Sequence, residues 1–104
     1  MTTALGKANK LAGASNYYVW SLKMRAILHR ENYWDITETK NVPPVFPINI
    51  RGMSYTEGQF KKVKSAAMSI LVLSVNNNII DFVANHDDAA DAWDALKKAF
   101  QAGD

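Results

Sequence analysis

The sequence contains no cysteine. That removes disulfides, zinc knuckles, thiolate metal sites and cysteine nucleophiles together. Proline is scarce: there are three in 104 residues, all between positions 43 and 47. The five glycines, at 6, 13, 52, 58 and 103, are scattered and make no phosphate-cradling loop. A Gly-x-Ser-x-Gly elbow and a His-Glu-x-x-His pair are also absent. His29 and His86 stand far apart, and each reads as a surface or capping histidine. The aspartates at 81, 87, 88, 91 and 94 lack the glycine-bearing loop and alternating spacing of a calcium site. No enzymatic activity, cofactor or metal is therefore expected. The longest apolar stretch, AAMSILVLSV, is interrupted by serines and is too short to span a bilayer. The N-terminus MTTALGKANKL has no apolar run of signal-peptide length. The expectation is a soluble, cytoplasmic protein with no membrane partner and no small-molecule substrate.

What is present suits a single small domain. Apolar residues make up 48% of the chain, enough for a core, and three Trp, four Tyr and four Phe supply bulky filling. The formal net charge is only +2, but its distribution is uneven. Residues 1–75 hold ten of the twelve Lys/Arg and four acids; residues 76–104 hold six aspartates and two lysines. A basic front and an acidic tail can attract each other between copies. Solvated helix faces are the simpler reading.

Along the chain, residues 1–14 are small and polar and read as a flexible N-terminal arm, leaving 15–104 as one helical domain. Ser15 or Asn16 can cap a helix over roughly 16–31. Tyr17, Trp20, Met24, Ile27 and Leu28 recur on one face of it at steps of three and four. That spacing makes Tyr17 and Trp20 core anchors rather than a base-stacking platform, with Tyr18 pointing elsewhere. Trp20 is expected to pack on Trp93 and on the helix of residues 55–75. Asn32 interrupts the first helix, and Tyr33-Trp34-Asp35-Ile36 suggests a short helical turn. Residues 37–53 carry the prolines and read as an extended loop pinned by Val42, Val45, Phe46, Ile48 and Ile50. Ser54-x-x-Glu57 has the form of a capping box for a helix over roughly 55–75, anchored by Phe60. Asn76–Asn78 break that helix, and Ile79, Ile80, Phe82 and Val83 suggest a short buried one. Asp87 or Asp88 caps a last helix, with Trp93, Leu96 and Phe100 on its apolar stripe. Asp91 at its start and Lys97 and Lys98 near its end suit the helix dipole. The sum is an all-α bundle of four to five helices with one extended proline-bearing loop.

Three blocks resemble one family. Leu11-x-Gly13-x-x-Asn16-Tyr17-x-x-Trp20-x-x-Lys23-Met24-x-x-x-Leu28 is similar to the opening of Gag polyproteins of Copia-type LTR retrotransposons. Tyr33-Trp34-Asp35-Ile36 resembles their next apolar cluster. Asp88-Ala89-Ala90-Asp91-Ala92-Trp93-Asp94-Ala95-Leu96-x-x-x-Phe100 resembles their closing helix. Order and spacing agree over residues 11 to 100. Two positions depart from the pattern: Phe60 stands where the family often has Trp, and Asp88 where it has Thr. The resemblance implies a fold like a retroviral or retrotransposon capsid N-terminal domain and a part in particle assembly. The family's second helical region and Cys/His knuckle are not in this sequence. The chain is thus expected to be the N-terminal lobe of a capsid-like region, either a fragment or a shortened, domesticated form.

Two functions are weighed. The first is a structural Gag domain that self-associates, with RNA reached through the rest of the polyprotein. The second is a Gag-derived module that binds a peptide or protein and touches RNA weakly. Val42, Val45, Phe46 and Ile48 are candidates for an interface or peptide groove. Lys61, Lys62 and Lys64 are candidate basic contacts, and Asp87, Asp91 and Asp94 candidate acidic ones. Tyr17, Trp20, Met24, Leu28, Trp34, Phe60, Trp93, Leu96 and Phe100 are expected to be structural anchors.

Overall fold

Helix α1, Tyr17–Arg30, turns its three-and-four-spaced face inward: Tyr17, Trp20, Met24 and Leu28 are buried. A 3-10 turn, Ala14–Asn16, leads into it. The Asn16 side chain folds the preceding segment back. Its Oδ1 accepts from the Ala12 and Gly13 amides at 2.9 and 3.3 Å, and its Nδ2 donates to the Lys10 carbonyl at 2.9 Å. The helix stops at Asn32, whose φ of 65° is left-handed, a conformation asparagine tolerates better than most residues. A four-residue helix, α2 (Trp34–Thr37), follows and buries Trp34, Ile36 and Thr37. The computed structural model describes residues 10–40 and 45–101.

The proline-bearing segment leads into a hairpin that the sequence reading did not anticipate, so the fold is mostly helical rather than all-α. Strands β1 (Ile48–Ile50) and β2 (Met53–Tyr55) pair antiparallel, with Ile48 opposite Tyr55 and Ile50 opposite Met53. Arg51 and Gly52 form a two-residue turn with φ of 52° and 84°, the pair of positive values that suits a tight hairpin. The Gly52 amide donates to Asn49 Oδ1 at 2.9 Å.

The hairpin also moves the expected capping box. Ser54 lies in β2, and the box closes two residues later, at Thr56 and Gln59. Thr56 Oγ1 accepts from the Gln59 amide at 3.1 Å, and Gln59 Oε1 accepts from the Thr56 amide at 2.9 Å. Helix α3 (Glu57–Leu73) begins there, and Phe60, Lys64, Ala67 and Leu71 form its buried line. Helix α4 (Asn77–Ala84) follows and buries Ile79 and Val83. Asp88 opens α5 (Ala89–Phe100), its carboxylate accepting from the Ala90 amide at 3.1 Å.

The core has two joined parts. Leu11, Trp20, Met24, Leu71, Val83 and Leu96 belong to the larger, where α1, α3, α4 and α5 meet. Leu28, Trp34, Ala67 and Ala89 make the smaller, under α2. Trp93 joins them. Its ring stacks on Trp20 at 5.5 Å between centroids and meets Trp34 edge-on at 5.1 Å. Phe100 is half-buried and meets Phe82 at 6.2 Å.

Residues 1–9 of the expected arm lie outside the described residues, and the part that follows packs on the bundle. Leu11, assigned to the arm from sequence, is fully buried and bridges in parallel to Val75. Its amide donates to the Ser74 carbonyl and its carbonyl accepts from the Asn76 amide, each at 2.9 Å. Full burial of a leucine side chain is worth about 1.5–3 kcal/mol, and that gain offsets part of the cost of ordering this segment.

Candidate interaction surfaces

The residues expected to make contacts are dispersed. Val42 lies outside the described residues. Val45 is 73% exposed. Phe46 is half-buried and packs on Phe60, with ring centroids 5.8 Å apart. Ile48 is half-buried in the hairpin. None of these three lines either of the two larger surface grooves described below.

The three lysines of α3 differ from one another. Lys61 is exposed and pairs with Glu57 at 3.0 Å, one helical turn away. Lys62 is exposed. Lys64 is turned inward, which corrects the expectation of a solvated contact. Its ammonium donates to the Thr39 carbonyl at 2.7 Å and lies 2.9 Å from Asp88 Oδ1. It also sits 5.6 Å from the Phe60 ring centroid. Lys64 thus fastens the segment after α2 and the start of α5 to the middle of α3.

The aspartates divide in the same way. Asp88 is engaged by Lys64. Asp94 is held by Lys40 at 3.4 Å and Lys98 at 3.1 Å. Asp87 and Asp91 are exposed and take part in no ion pair among the described residues.

The hydrogen bond from Lys98, then the charge of Lys40, hold the Asp94 carboxyl below the usual aspartate range. Its contribution to stability is therefore present above the unfolded-state value and is lost as pH falls through the lower, folded one. NMR titration of the side-chain carboxyl should find Asp94 titrating below an exposed aspartate, and Lys98→Met should raise it. An unchanged midpoint in Lys98→Met would show that Lys98 does not hold this charge.

Two grooves flank the bundle. The first runs along α3 and encloses about 680 Å³. Ser65, Met68, Ser69, Val72 and Leu73 line it, with Asp87 and Asp88 beside its early part. The second, about 560 Å³, lies between α1 and α5 and is walled by Tyr17, Tyr18, Leu22, Arg25, Trp34 and Trp93. Burial pushes the Tyr17 phenol up there. Arg25 lies over the Trp34 ring at 5.1 Å, which covers part of that aromatic wall.

Among the described residues, no three His, Asp or Glu side chains gather as a metal site, and no helix is long and apolar enough to cross a membrane. The large exposed apolar side chains fall on α1 (Tyr18, Val19, Leu22), on the proline segment and hairpin (Val45, Met53), and on α3 and α4 (Leu73, Phe82). Leu22 and Leu73 are not among the contact residues expected from the sequence. Their signal is an apolar residue off the buried stripe of its own helix.

These elements define a small, mostly helical domain with one short hairpin. Residues 24–104 match the family described as the gag-polypeptide of LTR copia-type, and the chain belongs to that family. The opening block, Leu11 to Leu28, begins ahead of the matched stretch, and its Met24 and Leu28 fall within it. Gag polypeptides are structural rather than catalytic as a family. No curated protein and no solved structure matches the chain.

Proposed function

We propose that this domain is a capsid-like building block of a retrotransposon Gag, whose copies associate through many weak contacts into a larger assembly. The observation that carries this reading is the outward face of α1. Tyr18, Val19 and Leu22 are exposed there, 72%, 53% and 47% respectively, although α1 already buries its opposite face in the core. Isolated exposed apolar residues are ordinary; a cluster of three on one short helix marks a contact surface. The uneven charge adds direction, since α1 has no acidic residue while Asp87 and Asp91 make no ion pair among the described residues.

A peptide groove built on Val45, Phe46 and Ile48 is the weaker alternative, because Phe46 already has a partner in Phe60. RNA contact through α3 is also disfavoured, since Lys64 is internal and Lys61 is matched by Glu57. RNA would be reached through other parts of the polyprotein.

Sedimentation velocity over a broad concentration range, with electron microscopy of the densest sample, tests the proposal. Growth with concentration into rings, sheets or shells is expected. Association should weaken toward ~1 M salt, where the screening length falls to about 3 Å. A monomer at every concentration would count against it.

A further inference from the structure

Resting on that reading, we infer that the α3 groove receives the outward face of α1 from a second copy, with the two helices antiparallel. The groove extends from Phe60 to Leu73 of α3, and α1 is a 14-residue helix. At 1.5 Å per residue each is about 21 Å long, so one helix fits the other end to end. Ser65 and Ser69, one turn apart, are small and leave a furrow beside Met68 and Val72. A ridge of side chains from another helix packs into such a furrow.

Polarity along the two elements sets their direction. The apolar part of the groove is its later half, at Met68, Val72 and Leu73, and Leu73 is 65% exposed. The acidic part is the earlier half, because Asp88 is tied to Lys64 and brings Asp87 beside it. Lys61 there is matched by Glu57 and Lys64 by Asp88, which leaves Asp87 over. On α1 the order along the chain is the reverse, apolar and then charged. Tyr18, Val19 and Leu22 come first and the Arg25 guanidinium follows, while Arg30 at the end of the helix pairs with Glu31 at 3.7 Å. Apolar meets apolar and cation meets aspartate only if α1 runs opposite to α3.

The contact cannot form within one copy, because the other face of α1 is fixed in the core by Trp20, Met24 and Leu28. Each copy therefore offers both a helix and a groove. Such a heterologous contact adds copies without limit until it closes into a ring.

That property gives the test. Leu22→Asp blocks the helix face and Leu73→Asp blocks the groove; both side chains are exposed, so the core is untouched, and circular dichroism checks that both variants fold. Each variant alone should associate at least about tenfold more weakly than the wild-type chain in sedimentation, the effect of losing about 1.4 kcal/mol per contact. Mixed, they should form a 1:1 dimer and nothing larger, because one intact helix face and one intact groove remain. Leu73→Asp forming its own dimers while Leu22→Asp stays monomeric would overturn the inference in favour of an α1–α1 contact. Wild-type association that neither variant weakens would overturn the inference alone. A wild-type chain that never associates would overturn both it and the assembly reading.

Discussion

Trp20→Ala is expected to cost about 3–5 kcal/mol of folding stability, the range for emptying a large buried aromatic site. Trp20 is 2% exposed, stacks on Trp93 and lies 5.7 Å from the Tyr17 ring. Its indole Nε1 donates to the Ser74 carbonyl at 2.9 Å, so one side chain joins α1, α5 and the end of α3. The loss is large beside the roughly 5–15 kcal/mol that stabilises a domain. At about 4–8 °C per kcal/mol, the melting temperature should fall by roughly 12 °C or more. Trp20→Phe separates ring packing from the hydrogen bond. The Ser74 carbonyl keeps its bond from the Leu11 amide, so this variant should lose less, about 1–2 kcal/mol. Urea unfolding followed by far-UV circular dichroism measures both. A Trp20→Ala chain within about 1 kcal/mol of the wild type would mean that the three-tryptophan cluster does not hold the two parts of the core together.

The second large effect is expected at Lys64 and Asp88. The Lys64 side chain is 11% exposed and that of Asp88 34%. Removing one partner of a buried pair costs about 3–5 kcal/mol, and partial solvation of Asp88 reduces that. Asp88→Ala also removes the cap on the Ala90 amide, worth about 1 kcal/mol. Its total should be about 3 kcal/mol. Lys64→Met should cost less, about 1–2 kcal/mol, because Asp88 keeps its cap and recovers some water. The double variant should fall short of the sum by about 1–3 kcal/mol, since the second change no longer strands a charge. Additive losses would show the two side chains to be independent, and the 2.9 Å contact to have little weight.

The helices were legible because their patterns are local. In α1, Tyr17, Trp20, Met24 and Leu28 repeat at helical spacing and Asn32 marks the stop; in α5 Asp88 marks the start. The hairpin was hidden for two physical reasons. Its strands are only three residues long, and its turn is Arg-Gly rather than the Asn-Gly or Asp-Gly that signals such turns strongly. Ser54 and Glu57 imitate a capping box two residues ahead of the real one, and only the pairing of Ser54 with Asn49 shows that Ser54 belongs to a strand. Lys64 looked like its neighbours Lys61 and Lys62 because nothing local reveals that Thr39 and Asp88 converge on it. The candidate surface was half visible. The sequence marks Tyr18 as pointing away from the core, whereas the furrow of Ser65 and Ser69 depends on how α3 sits beside the start of α5.

The tie between Leu11 and the end of α3 bears on the order in which the chain can assemble itself. The Ser74 carbonyl receives both the Leu11 amide and the Trp20 indole, and Trp20 and Ser74 are 54 positions apart. Closing a loop of that span costs chain entropy before any contact repays it. Helices α3, α4 and α5, by contrast, are neighbours along the chain and pack on one another. They can collapse first, leaving a slot beside Val75 that the incoming segment fills last. Amide exchange at Leu11 and Asn76 then reports the detachment of this segment as a latch, an opening smaller than global unfolding that uncovers Val75 while the later helices stay together.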